Sequence, residues 1–416
     1  MAGTEHFIPL TRADAQRLAL ELCEPAARDG LADVGLLLSS LLHVEFHERL
    51  ERLKELYSPL DPDADTRRPA SLPALPAAES AHSLKETLAD VLRRANYVEL
   101  PRSELDQALE LDSPFQLRVH VELDDFAELL VFTRGRRRER VQARRWWQRK
   151  RRTHDMDVFE RVVVLARVKE AQDLPEERRE GLLVGPGRTL VKLFRNVPAA
   201  DLEMVLPNVQ VRMRARDRAL LGVPAVIGGV ILLVTKLSAS LLLTGALIGF
   251  WLGLRHDEVQ LGAKELLGLG LAVAALAAFL LRQVSAFKNR KIAFMKALAD
   301  NLYFRSLDHG AGVFHRVIDE AEEQDGKEAF LAYVALLERP GVTEADLDAH
   351  VEAWLEAWCG RRIDFEADDA LAKLERFELL RRDGERLSVV PPDAAKVLLD
   401  QRWDDWFLFA NEARGA

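Results

Sequence analysis

Between residues 219 and 281 three apolar runs follow one another in a chain in which 30% of all residues are charged. They read ALLGVPAVIGGVILLVT over 219–235, LSASLLLTGALIGFWLGL over 237–254 and LLGLGLAVAALAAFLL over 266–281. A helix that spans a bilayer needs about 17–25 apolar residues, so this block is long enough for more than one crossing. No other feature constrains the fold as much. It separates an upstream and a downstream part, both highly charged and both long enough to bury a core.

The charges beside the block predict its threading. Arg212, Arg214, Arg216 and Arg218 precede it, and Arg282, Lys288, Arg290 and Lys291 follow it. The intervening RHDEVQLGAKE offers only Arg255 and Lys264. Lysine and arginine beside membrane ends stay on the cytoplasmic side, which predicts an even number of passes with both termini in the cytoplasm. Lys236 divides the block, and a lysine at mid-bilayer costs about 2.5–3.5 kcal/mol, so it marks a segment end. The expected membrane region, 216–285, is therefore a hairpin with passes at about 219–235 and 264–282. Residues 237–254 are then re-entrant, interfacial or continuous with the first helix. A third pass is the rival reading, but it sets one arginine-rich flank on the wrong side. Gly245, Gly249 and Gly253 form a strip of small residues that favours close helix packing, within one chain or between copies in a homo-oligomer.

The flanking parts read as an α+β arrangement. Residues 1–76 carry apolar positions at helical spacing and end in the proline- and aspartate-rich YSPLDPDADTRRPASLPALP. Within 77–215, SLKETLADVLRRANY reads as a helix, and QLRVHVEL, ELLVFTR, FERVVVLARV and RTLVKLFRN read as strands of a small sheet. Residues 286–340 are mainly helical, with AEEQDGKEAF presenting acids on an exposed face and Glu323 and Lys327 at salt-bridge spacing. Residues 341–416 resemble a winged helix: TEADLDAHVEAWLEAW and DFEADDALAKLERF are helices, Asp383-Gly384 marks a type I′ hairpin, and PPDAAKVLLDQRWDDWF follows. The helix in the recognition position carries Glu366, Asp368, Asp369 and Glu375 against Lys373 and Arg376. Phosphate contacts dominate DNA affinity, so this end reads as a structural or protein-contact wing, with nucleic acid disfavoured as a partner.

Candidate chemistry is sparse. RGRRRERVQARRWWQRKRR, residues 134–152, combines Arg136, Arg137, Arg138, Arg144, Arg145, Arg149 and Lys150 with Trp146 and Trp147. Three readings fit it. It is a solvated loop between strands, a contact for anionic lipid headgroups, or a site for single-stranded nucleic acid. His43 and His47 stand at i and i+4, but Val44 occupies the place of a zincin glutamate, so surface histidines are expected and a metal-dependent enzyme is the distant alternative. Asp61, Asp63 and Asp65 alternate like a calcium loop, yet Thr66 and Leu72 stand where that loop needs glycine and glutamate. Cys23 and Cys359 belong to no CxxC pair, which excludes a zinc finger and a disulfide framework. The start MAGTEHFIPLTRADAQRL has no basic-then-apolar leader, so neither a signal nor a transit peptide is expected.

Three stretches together carry a resemblance: YSPLDPDADT, KLFRNVPAADLEMVLPNVQVRMRARD, and FKNRKIAFMKALADNLYFRSLDHGAGVFHRVIDEAEEQDGKEAFLAYVALL. They resemble the family of uncharacterised multi-pass membrane proteins that includes the mitochondrial transmembrane protein one-four-three. The resemblance is densest over 192–338. It implies a two-pass core with a soluble flank and no catalytic residues to transfer. The arginine- and alanine-rich composition, with no transit peptide, points to a bacterial inner-membrane member.

No nucleophile elbow, phosphate loop, dinucleotide fingerprint or metal set is present in the sequence. The expectation is a non-enzyme without cofactor or bound metal. It is a membrane-anchored scaffold or regulatory protein with two cytoplasmic domains, contacting lipid and unidentified proteins. The alternative is a membrane-tethered nucleic-acid-binding protein acting through 134–152.

Overall fold

A computed structural model describes residues 5–64, 69, 76–110, 118–143, 152–179, 182, 184–208, 210–212 and 303–406, with isolated positions between 263 and 296. Contacts divide the chain into two compact units. One comprises Met1–Pro114, Val121–Asn208 and Arg305–Ala416; the other comprises Phe115–His120 and Val209–Phe304. In the latter, β2 (Arg118–His120) pairs antiparallel with β6 (Gln210–Arg212).

The larger unit is α+β. Its helices are α1 (Arg12–Leu22), α2 (Arg28–Tyr57), α3 (Ala77–Arg94), α4 (Arg102–Glu110), α5 (Glu176–Arg179), α6 (Leu202–Val205), α7 (Ala311–Glu338), α8 (Glu344–Cys359), α9 (Ala367–Arg376) and α10 (Pro392–Asp405). A five-stranded antiparallel sheet runs in the order β1 (Val98–Glu99), β3 (Phe126–Ala143), β4 (Arg152–Val168), β5 (Thr189–Pro198), β7 (Ser306–His309). A separate hairpin joins β8 (Leu380–Asp383) to β9 (Arg386–Val389).

The central strand β4 is continuously apolar over 162–166, where both of its faces are covered. Val162, Val163, Val164, Leu165 and Ala166 are all buried. Val163 and Leu165 join Leu130, Phe132, Val191 and Leu193 in the core shared with the helices. Gly310, with φ 57°, makes the turn from β7 into α7, a backbone conformation that costs glycine least.

Helix α7 is the axis of this unit, touching α1, α2, α3, α8 and α9. Every residue over 324–336 is buried, as in a helix enclosed on all sides. Gly35 permits the close approach of α2, since a Cβ there would lie 3.0 Å from the Phe330 ring. The acids and the lysine of EEQDGKE do not form the exposed face expected of them: Gln324, Asp325, Lys327 and Glu328 are all interior.

The last helices are punctuated by local chemistry. Thr343 and Asp346 form a capping box at the start of α8, and Gly360, at φ 67°, closes it. The β8–β9 turn sits one residue later than the Asp383-Gly384 dipeptide predicts. Asp383 pairs with Arg386, so Gly384 and Glu385 are the central residues, and only Gly384 has a positive φ. Glycine at the first central position is the requirement of a type II′ turn rather than type I′.

The expected membrane hairpin is corrected. Among the described residues no helix is long and apolar enough to cross a membrane. The long helices α2 and α7, of 30 and 28 residues, have the reach but not the composition. Charged side chains interrupt both, and their apolar sides are met by neighbouring helices and strands instead of lipid. Residues 219–235 and 237–254, with Lys236, Gly245, Gly249 and Gly253, lie outside the described residues, as does most of 264–282. The α-helical hairpin, the multi-pass bacterial inner-membrane location and the cytoplasmic placement of both domains and termini are therefore not carried forward. The membrane-anchored scaffold and the membrane-tethered nucleic-acid-binding protein, which both rest on that hairpin, are withdrawn with them.

Candidate functional site: a basic hairpin arm and a buried ionic junction

Strands β3 and β4 outrun the rest of their sheet. They pair from Phe126 opposite Val168 to Ala143 opposite Arg152. Strand β5, in contrast, covers β4 only from Val158 to Arg167. Residues 137–143 and 152–157 thus form a two-stranded ribbon that continues beyond its neighbours for about 20 Å at ordinary strand rise. Gly135, at φ 69°, stands at the base of this arm, where a Cβ would come within 2.9 Å of the Glu160 side chain.

The described part of the arm is strongly basic and wet. Arg136, Arg137 and Arg138 are 58%, 54% and 67% exposed. One carboxylate serves two of them: Asp157 accepts from Arg136 Nη2 at 2.6 Å and Nε at 3.1 Å, and Arg138 Nε lies 3.4 Å away. The Arg136 hydrogen bond, reinforced by both guanidinium charges, holds Asp157 below the usual carboxylate range. Arg137 reaches Glu139 at 3.5 Å. Between residues 136 and 157 the sequence has ten lysines and arginines against three acids, so this local pairing leaves a large positive excess. Arg144, Arg145, Trp146, Trp147, Arg149 and Lys150 lie outside the described residues. Arg134 belongs elsewhere: it is buried, 3.1 Å from Glu320, and donates to the Ala95 carbonyl at 3.2 Å.

The second charged assembly is internal and was missed from the sequence. Asp325 and Glu328 on α7 meet Lys373 from α9, whose Nζ lies 3.1 Å from Asp325, 2.7 Å from Asp369 and in hydrogen-bond contact with Glu328. Arg94 at the end of α3 donates twice to Asp325, through Nε at 2.9 Å and through Nη2, and approaches Glu45 of α2 at 3.3 Å. Arg376 donates to the same Glu45 at 2.7 Å. Asn96 and Gln324 donate to Glu328 Oε1 at 3.0 and 3.2 Å. Burial pushes the Glu328 carboxyl upward against the pull of Lys373. Burial also draws Lys373 down, but Glu328, Asp325 and Asp369 outweigh it and hold the ammonium above the usual lysine range.

This junction explains its own metal-like geometry. Carboxylate oxygens of Asp325, Glu328 and Asp369 lie within 4.8 Å of one another, and Lys373 Nζ occupies the place among them that a cation would take. Asp348, Glu352 and Asp364 gather at the same spacing near the surface. Burial, helped by the neighbouring acids, raises Asp348 to about 6.

The remaining candidates disperse. His43 is 69% exposed and faces Glu322 at 2.9 Å, and neither His43 nor His47 joins a metal-sized group among the described residues. Asp61 accepts from the Asp63 amide at 3.0 Å in an exposed turn. Helix α9, in the recognition position of the wing-like end, turns Ala370, Leu371, Lys373 and Leu374 inward against α7 and α8. The signal for the junction was present in the sequence. The charged EEQDGKE runs straight into AFLAYVALL, and a helix apolar on every side there has no polar face to offer its neighbouring turn.

A family model described as a protein of unknown function (DUF3754) matches residues 159–312. The matched stretch holds most of β4, all of β5 and β7, and the first residues of α7. It stops short of the ionic junction and begins after the arm. No solved structure matches the chain.

Proposed function

We propose that this chain is a non-catalytic binding protein that contacts anionic lipid headgroups through the β3–β4 arm. One observation carries the reading: a two-stranded ribbon, exposed and rich in arginine, extends beyond the sheet that anchors it. An isolated hairpin is marginally stable in water, so a long basic one is retained for contact rather than for folding. The sequence RRWWQRKRR that follows β3 supports lipid over nucleic acid as the partner, because tryptophan favours bilayer interfaces beside arginine. The buried junction suits the rest of the protein to the same task, by holding the helices and the wing-like end as one rigid support. Kinship with the family that includes the mitochondrial transmembrane protein one-four-three is part of this reading, and the DUF3754 match overlaps the stretch that carries the resemblance.

Co-sedimentation with phosphatidylcholine vesicles, with and without phosphatidylglycerol, tests it. Each basic residue near an anionic surface contributes about 1 kcal/mol, so replacing Arg144, Arg145, Arg149 and Lys150 by alanine should lower partitioning by more than about a hundredfold. Binding that is equal on neutral vesicles, or unchanged by the four substitutions, overturns the reading. RNA retained by the arm in place of vesicles would replace it.

A further inference from the structure

Residues 5–10, EHFIPL, form neither helix nor strand, yet they lie across the middle of the larger unit. Two side chains and one main-chain amide, from three separate parts of the chain, hold their main chain. The Asn96 amide, just past α3, donates to the His6 carbonyl at 2.8 Å. Lys327 of α7 donates to the Ile8 carbonyl at 2.8 Å and the Leu10 carbonyl at 3.0 Å. The Asp364 amide, ahead of α9, donates to the Glu5 carbonyl at 2.9 Å. Two side chains of the segment are also captured. Ile8 is 1% exposed, and the Phe7 ring lies 4.1 Å from the Arg134 guanidinium and 5.0 Å from Lys327 Nζ.

Two of the capturing groups, Arg134 and Asn96, are also held by the protein body. Arg134 is fixed by Glu320, the Ala95 carbonyl and the Tyr97 ring at 4.5 Å. Tyr97 itself donates to Glu320 at 2.7 Å. Asn96, at φ 56°, is held by Glu328. Hydrogen bonds to the main chain of an extended segment, with separate contacts for its aromatic and aliphatic side chains, are how an extended peptide is recognised.

We propose that Asn96, Arg134, Lys327 and the Asp364 amide form a peptide-binding groove, and that residues 5–10 are its ligand held in cis. The groove takes an extended segment with an aromatic residue followed by a branched aliphatic one. Lys327 explains why it stays filled. Burial lowers this ammonium to about 8, and it donates to two carbonyls of the segment. An empty groove would lose both of these hydrogen bonds from the ammonium.

The test uses a chain lacking residues 1–10 and a fluorescent peptide MAGTEHFIPLT, read by anisotropy. Saturable binding to the shortened chain is expected, weaker by at least about tenfold with the full chain and with a Phe7→Ala peptide. A shortened chain that keeps its unfolding transition but ignores the peptide overturns the proposal, as does equal binding of the Phe7→Ala peptide. Should the shortened chain fail to fold, the full chain labelled with 4-fluorophenylalanine at position 7 decides. Excess unlabelled peptide should move the fluorine resonance from its docked to its free position. A resonance that stays docked at millimolar peptide makes the segment a fixed part of the core and overturns the proposal. A dimer that is lost on deleting residues 1–10 overturns the assignment in cis.

Discussion

The β3–β4 arm and the middle of α7 both carry dense charge and put it to opposite use. Residues 134–140 read RGRRRER and residues 322–328 read EEQDGKE. On the arm, Arg136, Arg137 and Arg138 stand in water and share acids from their own ribbon. In α7, Asp325 and Glu328 are interior and meet cations from remote parts of the chain, Arg94 lying 231 positions away and Lys373 45. The difference lies in convergence. A charged run is buried where opposite charges reach it from other elements, and remains solvated where its partners are only local.

Breaking one partner of the interior set should have the largest effect. Lys373→Met strands the buried Glu328 without its cation and leaves Asp325 with Arg94 alone, and loss of one partner from a buried ion pair costs about 3–5 kcal/mol. Urea unfolding should show a loss of that size. Lys373→Met combined with Glu328→Gln should recover part of it, because fewer uncompensated charges then remain inside. A loss below about 1 kcal/mol for the single substitution would place this network in the class of surface pairs and erase the contrast.

Two residues of one strand sharpen the comparison. Arg134 and Arg136 belong to the same basic run, yet Arg134 is buried between the Phe7 and Tyr97 rings and paired with Glu320. Arg134→Ala should cost about 1.5–3 kcal/mol, the range for hydrogen bonds to charged groups. Calorimetric melting of the two alanine variants side by side is the measurement. Equal destabilisation by Arg136→Ala would show that position in the run, and not convergence, sets the effect.

Asp348 lies between the two extremes, partly buried beside Glu352, Asp364, Asp368 and Glu344. Its folded value of about 6 exceeds the ordinary 3.8, so between those values the folded state holds a proton that the unfolded state releases. Stability therefore falls as pH rises through this window, and the cost is fully present above about 6. Asp348→Asn should stabilise at pH 7 by well under about 1 kcal/mol, since solvent screens the group. The gain should vanish below the unfolded value, as unfolding measured across the pH range would show.

The parts of the fold that were legible in the sequence are those set by local rules. The apolar run FERVVVLARV marks a strand enclosed on both faces, and Thr343 with Asp346 marks a helix start, because residues within a few positions decide both. The turn at Gly384 was displaced by one residue because two dipeptides, DG and GE, could each have supplied a positive φ. The ionic junction and the grip on residues 5–10 were not legible. Both depend on which distant elements α7 meets, and EHFIPL offers no periodicity to betray a buried segment. On the arm the basic character was readable, but its extension as a ribbon beyond the sheet follows only from the unequal lengths of β3, β4 and β5.

The smallest effect on stability should come from Asp157, and it bears most directly on the arm. Its carboxyl is depressed, so its contribution is present above the ordinary 3.8 and is lost as pH falls through the lower folded value. Because its arginines are exposed, Asp157→Asn should change stability at neutral pH by less than about 0.5 kcal/mol. The same substitution releases both Arg136 and Arg138 from their shared acid. On the proposed lipid contact one more net positive charge is worth about 1 kcal/mol, so partitioning onto anionic vesicles should rise about fivefold, and salt should reduce that gain by screening the exposed charge. Weaker vesicle binding by Asp157→Asn would mean that the acid, in ordering the two guanidinium groups, matters more than the charge it cancels. The arm would then resemble the interior of α7, where geometry and not net charge decides.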